Sequence, residues 1–211
     1  NEDVDKTEWH MPAHMVNAYF SPDSNTIVFP AAILQKPFYS ATEQTPSQNY
    51  GGIGAVIAHE ISHAFDNNGA LFDEFGNMNN WWTDQDFKAF EAKQELMIAE
   101  FDGLEIAGGK VNGKLVVSEN IADAGGLTAA MTAALREPDA DLKAFFTQWG
   151  EIWRLKASEE YQQMLLSMDV HAPGKLRANV QASNLDEFFA TFDIQEGDGM
   201  WRAEAERVKI W

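Results

Sequence analysis

The sequence contains no cysteine. That excludes disulfide bonds and thiolate metal sites, so any metal here must be bound by His, Asp or Glu. Basic residues are scarce: 15 Lys and Arg stand against 33 Asp and Glu, a formal net charge of -18. Such a surface repels phosphate backbones, and no basic stripe offsets it, so nucleic acid is excluded as a partner. No apolar run approaches the roughly 18 residues that a membrane-spanning helix needs. No basic segment followed by an apolar core opens the chain. With the missing cysteines, this favours a bacterial cytoplasmic placement. A secreted or cell-surface one stays open, because the chain begins at Asn1 rather than Met.

The composition is 45% hydrophobic and 23% charged, enough to build a packed core over residues 1–211 as one compact unit. "VNAYFSPDSNTIVFP" reads as two short strands around a Ser-Pro-Asp-Ser-Asn turn. A helical pattern runs from Ile53 to about Phe65, and Val56, Ile57, Ile61 and Phe65 imply that this helix is buried. "TDQDFKAFEAKQELMIAEFDG" is amphipathic, with Thr83 as cap and Phe87, Phe90, Leu96, Ile98 and Phe101 facing inward. The Asn-Gly of "GGKVNGKLVV" predicts a second hairpin. Ser118 is the expected cap of a helix over "ENIADAGGLTAAMTAALRE". One or two helices follow over "DLKAFFTQWGEIWRLKASEEYQQMLL". "VHAPGKLRAN" is expected to be a loop because Pro173 and Gly174 disfavour helix continuation, and "NLDEFFATF" is a last helix. The expected class is α+β, mainly α-helical, with small β hairpins.

Within the first helix, "HEISH" interrupts a run of small and apolar residues. Unpaired polar groups are costly to bury there. His59 and His63 are four apart, so both imidazoles face one side of the helix and reach one Zn²⁺. Glu60 lies about 100° round the helix from His59, beside the metal without ligating it. It is placed to take a proton from a zinc-bound water.

Two histidines leave zinc short of a third protein ligand. "SENIADAGG" offers Glu119 and Asp123, again four apart. Glu119 closes a His₂Glu shell, and Asp123 accepts a hydrogen bond from a ligand imidazole, most simply His59. The alternative is a solvated acidic pair near a helix start. Asp66, three after His63, either orients that ring or merely helps end the helix. "HAPGKLR" supplies His171 as a donor to an oxyanion and Arg177 as a fork for a substrate carbonyl or carboxylate; a lone loop histidine is more often incidental. "NAYF" is either an edge strand for extended peptide or an ordinary hairpin strand. His10 and His14 share the same spacing, but Pro12 between them argues against a second metal site.

In order along the chain, "VNAYFSP", "IVFPAAILQKPFY", "NYGGIGAVIAHEISHAFDNNG", "WW", "ENIADAGG", "HAPGKLR", "FF" and the terminal Trp211 resemble the neprilysin and endothelin-converting-enzyme family of zinc endopeptidases. The likeness is strongest to the bacterial members called endopeptidase O. It implies a thermolysin-like zincin domain holding one Zn²⁺ through His59, His63 and Glu119, with Glu60 as general base. It also implies that Asp123 orients a ligand and that His171 stabilises the transition state. Asn17, Ala18 and Arg177 hold substrate, and Trp153 and Val56 line the pocket for a hydrophobic side chain just after the scissile bond. Animal members carry cysteines where this chain has Ile194 and Val208, and Ala124 stands where the family usually has Asn. Family members also have a large N-terminal helical domain that roofs the site, absent from these residues.

The expected function is hydrolysis of short peptides. The alternative is a zinc-loaded but inactive peptide-binding fragment that needs the missing N-terminal domain as partner. A zinc hydrolase of non-peptide substrates is disfavoured by "NAYF".

Overall fold

The computed structural model describes residues 4–211. The chain opens with an antiparallel hairpin, β1 (Tyr19–Ser21) and β2 (Thr26–Val28), paired Tyr19 to Val28 and Ser21 to Thr26. A short helix α1 (Pro46–Asn49) follows, with Thr45 and Gln48 closing a capping box. It runs directly into a wide π-turn, Tyr50–Gly54, then α2 (Ala55–Ser62), then a tighter 3₁₀ turn, His63–Phe65. The predicted helix is therefore present but not uniform: it loosens before the motif and tightens at His63.

Helix α3 (Asp84–Phe101) is capped by Thr83 as expected, and Asp86 returns the bond. Met97 and Phe101 are fully buried with Phe90, whereas Leu96 is exposed. Phe90 and Phe101 thus face inward as expected, Phe87 and Ile98 are half-buried, and only at Leu96 does the neighbouring Met97 take the inward place. The second hairpin, β3 (Glu105–Ile106) with β4 (Gly109–Lys110), turns at Ala107-Gly108 and not at Asn112-Gly113. Both turn residues have positive φ, 51° and 71°, as a two-residue hairpin of this hand requires. Asn112 instead accepts from the backbone N–H groups of Lys114 and Leu115, leading into the next helix.

That helix, α4 (Val117–Ala134), runs between two apolar clusters. Val117 and Ile121 pack with Phe90, Met97 and Phe101 of α3. Leu127, Ala130, Met131 and Ala134 pack with Val56 of α2 and with Phe145, Phe146 and Trp149 of α5 (Leu142–Ile152). Helices α6 (Glu159–Met168), α7 (Gly174–Ala182) and α8 (Asp186–Phe192) complete the fold. The segment expected to be a loop is therefore half helix. Pro173 sits at the N-cap of α7, where its fixed φ suits a helix start and its missing N–H costs nothing.

Where α4 crosses α2 the two backbones nearly touch. A Cβ on Gly126 would lie 2.7 Å from the Ala55 carbonyl oxygen and 2.8 Å from the His59 nitrogen. Only glycine allows this approach, and it brings the two motif-bearing helices together. The opposite side of α2 is not buried: Ile57, Ile61 and Phe65 are 38%, 47% and 44% exposed. The expectation of a fully buried helix is thus corrected to one buried face, that of His59 and Glu60. Among the described residues no helix is long and apolar enough to cross a membrane.

Candidate active site

Helices α2 and α4 present their polar residues to each other across this close crossing. His59 Nε2 and His63 Nε2 stand 3.1 Å apart, and Glu119 Oε2 is 3.2 Å from the first and 3.4 Å from the second. Each ring is held from behind. Nδ1 of His59 meets Asp123 Oδ1 at 2.8 Å, and Nδ1 of His63 meets Asp66 Oδ2 at 2.8 Å. A carboxylate on each Nδ1 assigns the Nδ1–H tautomer to both rings. Both Nε2 lone pairs then converge on the same point as a carboxylate oxygen.

Such a convergence is repulsive unless a cation or extra protons fill it. The rings answer accordingly: burial would lower His63, but Asp66 and Glu119 outweigh it and push its pKa up to about 10. His59 is likewise raised, burial being overcome by Asp123 and Glu119. Burial would raise Glu119, yet His171, His59 and His63 hold it far below the usual carboxylate range. Its Oε2 is buried close to three ring nitrogens, with no well-directed hydrogen bond among them. Among the described residues, His59, His63 and Glu119 are the one group whose ligand atoms gather closely enough for a metal. Two imidazoles and a carboxylate, with no sulfur, suit zinc.

Glu60 is 6% exposed, and burial raises its carboxyl, with the charges of His59 and His63 pulling the other way. His171 is placed by the loop before α7, its Nε2 3.1 Å from Glu119 Oε2 and its Nδ1 2.8 Å from Asp169 Oδ1. Burial would lower its pKa, but Glu119 reverses the direction. Arg177 lies on α7, and its fork is already used: Nε donates to Asp123 Oδ2 and Nη2 to Asp123 Oδ1, both at 2.7 Å. The guanidinium also lies 3.7 Å from the centre of the Trp153 ring. The fork therefore grips Asp123 and not an incoming ligand, leaving Nη1 as the nitrogen Asp123 does not engage.

A cavity of about 430 Å³ opens over this group. Every residue singled out from the sequence lines it: Asn17, Ala18, Val56, His59, Glu60, His63, Asp66, Glu119, Asp123, Trp153, His171 and Arg177. A larger cavity, about 810 Å³, continues past Asn17, Trp153, His171 and Arg177 but holds none of the α2 residues. Asn17 and Ala18 stand just before β1, which among the described residues pairs with β2 alone, and the Ala18 N–H is engaged by Asn17 Oδ1 at 2.9 Å. His10 takes no part; its ring tilts against Tyr19, 5.6 Å away. Asp169, two residues before His171, was not singled out from the sequence, and Ser118, expected as a helix cap, bonds Asp66 through its hydroxyl. The Asp-x-His spacing was a readable signal for the first.

The chain matches the model of peptidase family M13 over residues 17–208. It is 72% identical to a neutral endopeptidase of Lactococcus lactis subsp. lactis, covering 100% of this chain and 34% of that protein. PepO of Lactobacillus rhamnosis superposes with a TM-score of 0.94 at 48% identity, over 99% of this chain and 33% of the other. The zinc metalloprotease Zmp1 of Mycobacterium tuberculosis, in complex with an inhibitor, superposes with a TM-score of 0.91 at 38% identity, over 99% and 34%. The chain thus spans about a third of the length of these relatives. With the motifs, the helical zincin architecture and the family model in agreement, the chain belongs to peptidase family M13, the neprilysin family.

Proposed function

We propose that this chain is the catalytic part of a zinc endopeptidase that hydrolyses short peptides with a hydrophobic residue just after the scissile bond. The observation that carries the reading is the convergence of His59 Nε2, His63 Nε2 and Glu119 Oε2 on one point, with Glu60 beside it in the same cavity. One such group among the described residues supports one ion per chain. Zinc held there supplies Lewis-acid chemistry, lowering the pKa of a water and polarising the peptide carbonyl.

The residues of the chain do the rest. Glu60, with its carboxyl raised by burial, is matched to accept the proton of the attacking water and pass it to the leaving nitrogen. As the water oxygen bonds the carbonyl carbon, His171 Nε2 faces the developing oxyanion, its ring held by Asp169. Asp123 and Asp66 keep the two ligand rings turned inward. The side of β1 that no strand pairs, with Asn17 and Ala18 just before it, holds an extended backbone. Val56 and Trp153 give the cavity an apolar wall for the side chain that follows the scissile bond.

The second reading is a zinc-loaded peptide-binding fragment, inactive without the rest of the polypeptide. It is favoured by the chain's share of its relatives' length, 34%. Hydrolysis of a fluorogenic peptide by the zinc-loaded 211-residue chain separates the two. Cleavage abolished by a chelator, and reduced at least about 10²-fold in Glu60→Gln with zinc retained, is the expected result. Peptide binding with no cleavage at full zinc occupancy assigns the second reading.

A further inference from the structure

Ser118 stands directly before the ligand Glu119, where a helix cap was expected. It does not cap α4: the N-cap position is Val116, and no side chain closes it. The Ser118 hydroxyl instead donates to Asp66 Oδ2 at 2.7 Å, and its oxygen accepts from Asn68 Nδ2 at 3.1 Å. The same Asp66 oxygen receives His63 Nδ1–H. The other, Oδ1, takes the backbone N–H groups of Asn68 and Gly69 at 2.7 and 2.8 Å. Asp66 is fully buried at 0% exposure, and these are the donors that satisfy its carboxylate.

We propose that Ser118 is a positioning residue for the metal centre, clamping Asp66 so that His63 is held in register with Glu119. The argument rests on the zinc assignment above and on the arrangement of α4. One face of this helix carries Glu119 and Asp123, and Asp123 fixes the ring of His59 directly. The ring of His63 has no such direct partner on α4. Ser118 supplies the missing link, through Asp66. A single helix thereby contributes a ligand and, on either side of it, the group that orients each of the other two ligands.

A carboxylate shared by a ring N–H and a hydroxyl cannot swing without breaking both bonds. Removing the hydroxyl leaves Asp66 Oδ2 with His63 alone and Asn68 Nδ2 without its acceptor. The carboxylate is then held only through Oδ1 and the ring itself, so the ring is fixed less tightly while the three ligands remain. Outer partners of metal ligands commonly set affinity by about 10–100-fold.

The test is zinc affinity of the 211-residue chain, measured by competition with a chromophoric chelator, together with the visible spectrum of the cobalt-substituted protein. Ser118→Ala is expected to weaken zinc binding about tenfold and to alter the cobalt bands. Ser118→Thr, which keeps the hydroxyl, is expected to stay within about threefold of wild type. Should the alanine variant not fold, Thr against Val carries the comparison, since these two share a shape and differ in the hydroxyl. Affinity unchanged in Ser118→Ala, or equal losses in Thr and Val, overturns the proposal. Failure of the wild-type chain to bind zinc overturns the metal assignment itself, a separate result.

Discussion

Arg177 and Asp123 form a two-pronged ion pair in which both contacts are 2.7 Å and neither residue is more than 8% exposed. The pair sits one bond behind the His59–His63–Glu119 group, because the Asp123 oxygen that receives Nη2 also receives His59 Nδ1–H. A residue expected to meet substrate is thus first a counter-ion to the carboxylate that holds the His59 ring.

Arg177→Ala is expected to destabilise the chain by about 3–5 kcal/mol, the usual result of leaving a buried charge without its partner. Arg177→Lys keeps the charge but cannot fill both prongs, so an intermediate loss is expected. Urea unfolding of the chelated proteins measures this, and a loss under about 1 kcal/mol for alanine would show the pair to be incidental.

The metal-free chain is expected to be most stable between about pH 4 and pH 6.5. Burial would raise Asp123, but the Arg177 charge and hydrogen bonds hold it down at about 2. A carboxyl depressed on folding stabilises above its unfolded pKa and stops doing so as pH falls through the folded value. That limb is worth about 2 kcal/mol and is lost between about pH 4 and pH 2. His63 works in the other direction: pushed up to about 10, it stabilises below its unfolded value and loses that contribution as pH rises toward about 10. Zinc replaces the protons on these rings, so the alkaline limb is expected to vanish in the zinc-loaded chain. Urea midpoints against pH, with and without chelator, check both limbs, and a loaded chain with the same alkaline decline would count against His63 as a ligand.

Residues spaced along one helix were the legible part of this site. His59, Glu60 and His63, and then Glu119 and Asp123, have spacings that a helix converts directly into shared faces. What the sequence left open depends on contacts between segments. Arg177 was read for its chemistry alone, and its separation of 54 positions from Asp123 hid the pairing. Ser118 was read only as a helix cap, and its bond to Asp66, 52 positions away, is a contact between segments that no local pattern shows. The hairpin was placed at Asn112-Gly113 because that dipeptide has the stronger turn chemistry, whereas Ala107 adopts positive φ against its own preference. Ile57, Ile61 and Phe65 are apolar enough to read as core but lie on the outer face of α2.

Gly126 sets how closely α4 approaches α2. Gly126→Ala places a methyl within 3 Å of backbone atoms of Ala55 and His59, which cannot turn away as a side chain would. The helices must separate, and overpacking of this kind costs about 1–3 kcal/mol. Because His59 and Glu119 lie on the two helices being forced apart, zinc affinity is expected to fall as well. Chelator competition beside thermal unfolding tests this; a variant that loses stability but binds zinc as tightly as wild type would show that the crossing does not set ligand spacing.

Trp153 lines both cavities and carries Arg177 on its face, so its loss has two separable effects. Its ring also packs edge-on against Trp149, 5.3 Å away, which fixes its plane. Trp153→Ala removes an apolar wall from the cavity beside Val56, so peptides with Leu or Phe after the scissile bond lose their advantage. A lost pocket contact of this size corresponds to about 10–200-fold in kcat/KM. Peptides with Ala at that position had little to gain from the wall, and for them the loss is expected to stay within about threefold once folding is matched. The ratio of kcat/KM for the two peptides therefore reads the pocket, and the common factor reads the disturbance of Arg177. Equal losses on both peptides would place the hydrophobic preference elsewhere and leave Trp153 only as the support of the Arg177–Asp123 pair.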